Sequence, residues 1–291
     1  HHADNLKGAD TVVYSSAIKE DNPEILEAKK RGIRLIRRAE ALAELMREET
    51  VITVTGSHGK TTTSSLISFL LIKAGLNPTA AVGGIIKNIN SNACSGSGKI
   101  FVAEADESDG SFLYYYPKYS IITNIDREHL DYYISFENEK NKFKEFLNQT
   151  LDCGCAYCCG DDPAVLEILK SYKARFVLFG LNKNCHVYAD NIKVEGLCSE
   201  FDCYNQGKFV GRFKLSLGGR HNISNALSVI ALGLDLGIDL KVIRQALIEY
   251  KGSGRRLELK LEENGFRLID DYAHHPTEIK ATLAAARCLN P

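Results

Sequence analysis

A chain of 291 residues is long enough for about two domains. Its 36 basic and 37 acidic side chains leave a formal net charge of −1, which gives no reason to expect a nucleic acid or a membrane surface as a partner. No apolar run approaches the roughly 18 residues of a membrane span. No export signal is visible, so the nine cysteines, an odd number, read as free thiols in a reducing cytoplasm.

In chain order, residues 11–14 form a short β-rich run. Asn22-Pro23-Glu24 then reads as an N-cap, a proline at the first helical position and an acid in the first turn of a helix closing near Gly32. A strand at 33–36 and a helix at 39–47 follow. Residues 51–55 (VITVT) form a β-branched strand that runs into a glycine loop and a buried helix ending at Lys73-Ala74-Gly75. Strands are expected at 80–82, 100–103 and 120–124, a helix at 136–148, a strand at 156–159, a helix at 163–171 and a strand at 176–179. The cluster Cys153, Cys155, Cys158 and Cys159 contains a single C-x-x-C; a half-buried strand with cysteine as a small hydrophobe outweighs a zinc site. Beyond residue 185, runs at 187–194, 200–204 and 209–217 suit antiparallel strands. Helices at 221–236 and 240–250, a glycine-rich linker at 251–254, a hairpin of 256–261 with 266–269, and a helix from Pro276 complete the chain.

This alternation implies an α/β fold: a central, doubly wound, mostly parallel sheet with a phosphate loop (P-loop) and a small antiparallel β subregion, flanked by partial α/β domains. The boundaries expected are 1–48, 49–252 and 253–291. The chain opens without methionine and stops soon after a third domain begins, so truncation at both ends is expected.

Five segments carry chemistry. T-G-S-H-G-K-T-T-T at 55–63 joins a strand to a helix, and its glycines let backbone N–H groups face phosphate oxygens. Lys60 would reach the β- and γ-phosphates and the Thr61 hydroxyl would bind Mg²⁺. The loop is shortened, G-x-x-G-K-T, with Val54 where the longer pattern has glycine. Glu104, Asp106, Glu107 and Asp109 cluster at the end of strand 100–103, where ligands of open α/β sheets sit. Such acids call for a cation, and Glu104, nearest the strand, is the chosen ligand; a solvated acidic loop is the equal alternative. His129 lies beyond the next strand on the same sheet edge and could complete a metal shell. Asn222 and Asn225 share a helix face and suit an adenine edge, or Asn222 is an ordinary N-cap. Arg256 could clamp phosphate and Asp271 a ribose hydroxyl, although each also suits a plain surface.

In this order the five segments resemble the Mur ligase family, and the resemblance covers essentially the whole chain. A-E-A-D-E-S-D-G-S-F, T-N-I-D-R-E-H-L-D-Y-Y and V-V-Y-S-S-A-I are most similar to the branch that adds L-alanine. The resemblance implies a cytoplasmic, ATP- and Mg²⁺-dependent ligase acting on UDP-N-acetylmuramate and L-alanine in peptidoglycan synthesis, through an acyl phosphate. It implies that Gly56, Ser57, His58, Gly59, Lys60, Thr61 and Thr62 hold ATP phosphates, and that Thr61, Glu104 and His129 hold metal. It places His221, Asn222 and Asn225 by adenine, and Arg256, Asp271 and His274 on the nucleotide from the third domain. Ser15, Ser16, Asp106 and Ser108 would face substrate. Phe143 stands where many relatives carry a carbamylated lysine, as in the alanine-adding branch. Rival readings are another Mur-type or folylpolyglutamate-type ligase, and a nucleotide-binding module without ligase activity.

Overall fold

The computed structural model describes residues 1–289. Asn290 and Pro291, the tail of the expected C-terminal segment, lie outside the described residues. β1 (Thr11–Tyr14) and β2 (Arg34–Arg37) form a parallel pair joined by α1 (Pro23–Arg31), with α2 (Arg38–Leu45) following. α1 begins as its sequence dictates: the Asn22 side chain accepts from the Glu24 N–H at 2.9 Å, and Pro23 needs no such partner.

A ten-stranded sheet forms the body of the molecule. It is built from β3 (Thr50–Thr55), α3 (Lys60–Lys73), β4 (Thr79–Ile86), β5 (Ser91–Cys94), β6 (Ile100–Glu104), β7 (Tyr119–Ile122), the short α4 (Leu130–Tyr133), α5 (Phe136–Asn148), β8 (Cys155–Cys159), α6 (Pro163–Leu169), β9 (Phe176–Gly180), β10 (Val187–Glu195), β11 (Cys198–Asn205) and β12 (Lys208–Leu215). α7 (Arg220–Asp235) and α8 (Leu240–Glu249) complete it. The order is β12-β11-β10-β9-β8-β7-β3-β6-β4-β5, parallel from β10 through β4 and antiparallel at both ends. Beyond it, β13 (Glu258–Glu263) and β14 (Phe266–Asp270) form a hairpin, followed by α9 (Pro276–Arg287).

Both faces of the sheet are covered. Ile52, Val54, Val102, Ile121 and Tyr157 point into one core with residues of α3, α7 and α8. Their chain neighbours Val51, Phe101, Ala103, Ile122 and Ala156 point into a second core with α2, α5 and α6. Strands buried on both faces explain the continuous apolar runs. Cys155 and Cys159 fill the first core and Cys158 the second, while Cys153 is exposed. Burial pushes the Cys155 and Cys159 thiols up to about 11, so they stay protonated and behave as small hydrophobes.

Some boundaries differ from the sequence reading. The antiparallel subregion of β10, β11 and β12 is continuous with the main sheet, because β10 pairs in parallel with β9. β5 lacks an apolar run and is seen only through its pairing with β4. β7 stops at Ile122 rather than Asn124, because Thr123 and Asn124 turn their side chains to the glycine loop. Phe143 packs in the second core against Phe112 and Phe146. No helix among the described residues is long and apolar enough to cross a membrane.

Candidate functional site

β6, β3 and β7 are neighbours, with Val54 opposite both Glu104 and Ile121. Three loops therefore leave the sheet side by side at one edge: the glycine loop after β3, the acidic segment after β6 and residues 123–129 after β7. The chain winds from β3 through β4 and β6 on one side, then crosses to β7 on the other. That reversal opens the crevice in which open α/β sheets hold ligands.

The glycine loop is clamped by the end of β7. The His58 carbonyl accepts from Thr123 Oγ1 at 2.6 Å and from Asn124 Nδ2 at 2.9 Å, while Asn124 Oδ1 accepts from the His58 N–H at 2.9 Å. Ser57 Oγ accepts from the Asp126 N–H at 2.8 Å. Gly56 has φ +125°, and a Cβ there would sit 2.3 Å from Thr123 Oγ1. Gly59 has φ +85°, and its Cβ would sit 2.8 Å from Asn225 Oδ1. Only glycine fits either position. α3 then starts at Lys60; its many hydroxyls are buried, and Ser64 and Ser68 donate to carbonyls one turn back.

Lys60 folds over the loop. Its Nζ donates to Gly56 O at 2.7 Å, Ser57 O at 3.2 Å and Glu107 Oε1 at 2.7 Å. Glu107 is fully buried. Burial disfavours both charges, but their mutual attraction prevails: the Lys60 ammonium is held above, and the Glu107 carboxyl below, its usual range. His129 lies 3.8 Å from the same Glu107 oxygen, which raises its pKa. Glu104 makes a different set of contacts. Its carboxylate accepts from Thr61 Oγ1 at 3.1 Å and the Gly83 N–H at 2.8 Å. The sequence-chosen metal residues thus fall into two adjoining groups, Thr61 with Glu104 and His129 with Glu107, joined by Lys60. Close by, Glu139 of α5 is fully buried and neither of its carboxylate oxygens has a hydrogen-bond partner. Burial pushes it up to about 7.

Beside the loop opens a cavity of about 650 Å³, bounded by His58, Gly59 and Thr62 on one side and by Arg256, Asp271, Thr277 and Glu278 on the other. His221, Asn222 and Asn225 line it. Asn222 is not the cap of α7: that position is Gly219, and Asn222 Nδ2 donates to Gly218 O at 2.7 Å. His274 stays out, its side chain 74% exposed. Its neighbour His275 faces the loop instead, stacked on His58 with ring centroids 5.0 Å apart. Backbone before a proline is extended, so successive side chains point to opposite sides. Asp126, Glu128 and Glu278 also converge here; no local pattern separates them from solvated acids. Asp106 and Ser108 form a local turn, the Ser108 N–H donating to Asp106 Oδ1 at 3.0 Å. Ser15 accepts from the Ala17 N–H at 3.2 Å, and Ser16 bonds to Asp109, so this strand end meets the acidic segment.

Strand, clamped glycine loop, helix and overlying lysine define a phosphate-loop α/β protein. The chain belongs to the Mur ligase family: residues 54–233 match the Mur ligase middle domain, residues 1–50 the Mur ligase family catalytic domain, and residues 255–291 the Mur ligase glutamate ligase domain. It is 48% identical to the UDP-N-acetylmuramate–L-alanine ligase of Desulforapulum autotrophicum over 99% of its own length and 63% of that protein's. Identity to the corresponding ligase of Aquifex aeolicus is 45%, over 100% and 64%. The crystal structure of the UDP-N-acetylmuramate-alanine ligase of Thermotoga maritima superposes with a TM-score of 0.88 at 30% identity, covering 99% of this chain and 66% of that one. A Neisseria ligase for UDP-N-acetylmuramate and L-alanyl-γ-D-glutamyl-meso-diaminopimelate gives 0.78 at 27%, covering 87% and 83%. The chain spans just under two thirds of the curated relatives it matches.

Proposed function

We propose that the chain is the nucleotide-handling part of an ATP-dependent ligase that joins L-alanine to the lactyl carboxylate of UDP-N-acetylmuramate in the cytoplasm. The observation that carries this reading is the meeting of Lys60, Thr61 with Glu104, and His129 at three adjacent strand ends beside a nucleotide-sized cavity. The relatives named above supply the substrate assignment.

In this reading residues 1–48 belong to the UDP-sugar domain, 49–252 bind ATP and 253–291 close over it. A carboxylate is a poor electrophile, so it first attacks the γ-phosphorus of ATP; the bond to ADP breaks and an acyl phosphate forms. The alanine amine then attacks the acyl carbon, loses a proton, and phosphate leaves with the C–O bond electrons. The protein's part is positioning and charge neutralisation. Backbone N–H groups of Ser57 to Thr62 and the Lys60 ammonium would hold the phosphates. Asn222 and Asn225 would meet the adenine edge, and Arg256 and Asp271 would reach over from the C-terminal segment. The oxygen donors of Thr61 and Glu104, 3.1 Å apart, fit a hard cation such as Mg²⁺, while His129, grouped with Glu107 and Glu128, would hold metal as a second group. Bound there, Mg²⁺ would neutralise phosphate charge.

The test is phosphate release by the full-length protein with ATP and Mg²⁺. Release that requires both UDP-N-acetylmuramate and L-alanine is expected. Release with a tripeptide or glutamate in place of alanine, or none at all, would overturn the assignment.

A further inference from the structure

We propose that His58, Glu128 and His275 form a transition-metal site that ties the C-terminal segment to the phosphate loop. The three side chains come from three places: the glycine loop, the segment after β7, and the N-cap of α9. Glu128 Oε1 lies 3.8 Å from His58 Nδ1 and 3.5 Å from His275 Nδ1, and one donor atom from each residue falls within 4.8 Å of the others. Donors about 2.0–2.1 Å from a tetrahedral ion stand roughly 3.3 Å apart, so the three would draw together and His275 Nδ1 would exchange the Thr277 N–H it accepts at 3.4 Å for the ion.

The chemistry of His58 points the same way. Its Nε2 lies 3.1 Å from Asp126 Oδ2, a carboxylate that would keep the proton on that nitrogen. The Nδ1 lone pair then faces inward, buried and without a hydrogen-bond partner, toward the carboxylates of Glu128 and Glu278 at 3.8 and 3.5 Å. A lone pair facing carboxylates calls for positive charge between them: a proton, which these carboxylates favour on His58, or a metal ion that displaces it. Around the two imidazoles, Asp126, Glu128 and Glu278 are set against the Arg256 guanidinium, 3.5 Å from Glu278. With both imidazoles neutral, the excess negative charge is that of one divalent ion. Two nitrogens and one carboxylate favour zinc, cobalt or nickel over magnesium, unlike the oxygen pair of Thr61 and Glu104. The other oxygen of Glu128 lies 3.7 Å from His129. An ion here would hold the C-terminal segment closed on the loop.

The test titrates Co²⁺ into the chain in excess Mg²⁺. His1→Ser and His2→Ser are introduced first, because His1 pairs with Glu24 at 2.9 Å and forms a rival chelator. One equivalent with visible d–d absorption and no thiolate charge-transfer band is expected. Affinity should fall at least about tenfold in both His275→Gln and Glu128→Gln, with unchanged circular dichroism. Zn²⁺ should also slow tryptic cleavage between Lys251 and Arg256 in the parent and not in His275→Gln. Absence of cobalt binding, a thiolate band, or a spectrum and affinity that persist in both variants would overturn the proposal.

Discussion

Replacing Glu107 by glutamine isolates the charge that holds the phosphate loop together. Glu107 is 0% exposed and the Lys60 side chain 15% exposed, and their charged atoms are 2.7 Å apart. Glutamine keeps the shape and one acceptor, and Lys60 keeps the Gly56 and Ser57 carbonyls, but its counter-charge is gone. Breaking a buried pair by removing one partner costs about 3–5 kcal/mol, and the retained contacts put this variant near the lower end. At about 2–4 °C per kcal/mol for a protein of this class, Tm falls by roughly 6–12 °C at pH 7, measured by scanning calorimetry. The pH dependence has a definite sign. The folded Glu107 carboxyl titrates below its ordinary 4.5, so the pair's stability is present above that value and is lost as pH falls through the lower folded value. Lys60 is raised above 10.5, so the stability is present below 10.5 and is lost as pH climbs through the folded value. The gap between parent and variant should be widest between these limits and narrow in acid. A Tm change under about 2 °C at pH 7, or a gap that stays constant into acid, would refute the reasoning.

Further expectations concern the same region. Lys60→Ala should end phosphate release and also lower Tm, because Glu107 is left charged and buried; adding Glu107→Gln should recover stability without recovering turnover, and a double variant no more stable than the single one would contradict the pairing. Gly59→Ala forces a side chain into φ +85° and against Asn225, a strain of about 1–3 kcal/mol; a loop that shifts to relieve it loses its phosphate geometry, so calorimetric ATP affinity should weaken about fivefold or more. Wild-type affinity in that variant would exclude the close approach. Glu139→Met should stabilise. The buried carboxyl is raised from 4.5 to about 7, so its cost is absent below 4.5, grows as pH rises between these values and is complete above, at about 3 kcal/mol. Melting curves at pH 5 and pH 8 read this directly, and no gain at pH 8 would sink it.

Local chemistry alone settled much of this molecule. The β-branched run before Gly56 and the Asn22-Pro23 cap appear where short-range rules put them. The alternation of strands and helices announced a doubly wound sheet, and the order of motifs announced the family. A loop of glycines followed by lysine is legible because its chemistry is contained in nine consecutive residues. Only the tertiary structure decided which acid does what. Glu104 and Glu107 stand three residues apart in one acidic run, yet one reaches Thr61 and the other Lys60, because the chain turns as it leaves β6 and each carboxylate finds a partner from α3. His274 and His275 were inseparable by composition; the extended backbone before Pro276 sends one to solvent and the other to the loop. Residue type and spacing record what a side chain can do. Which partner it meets depends on strand order and register, set by contacts dozens of residues away that no local pattern carries.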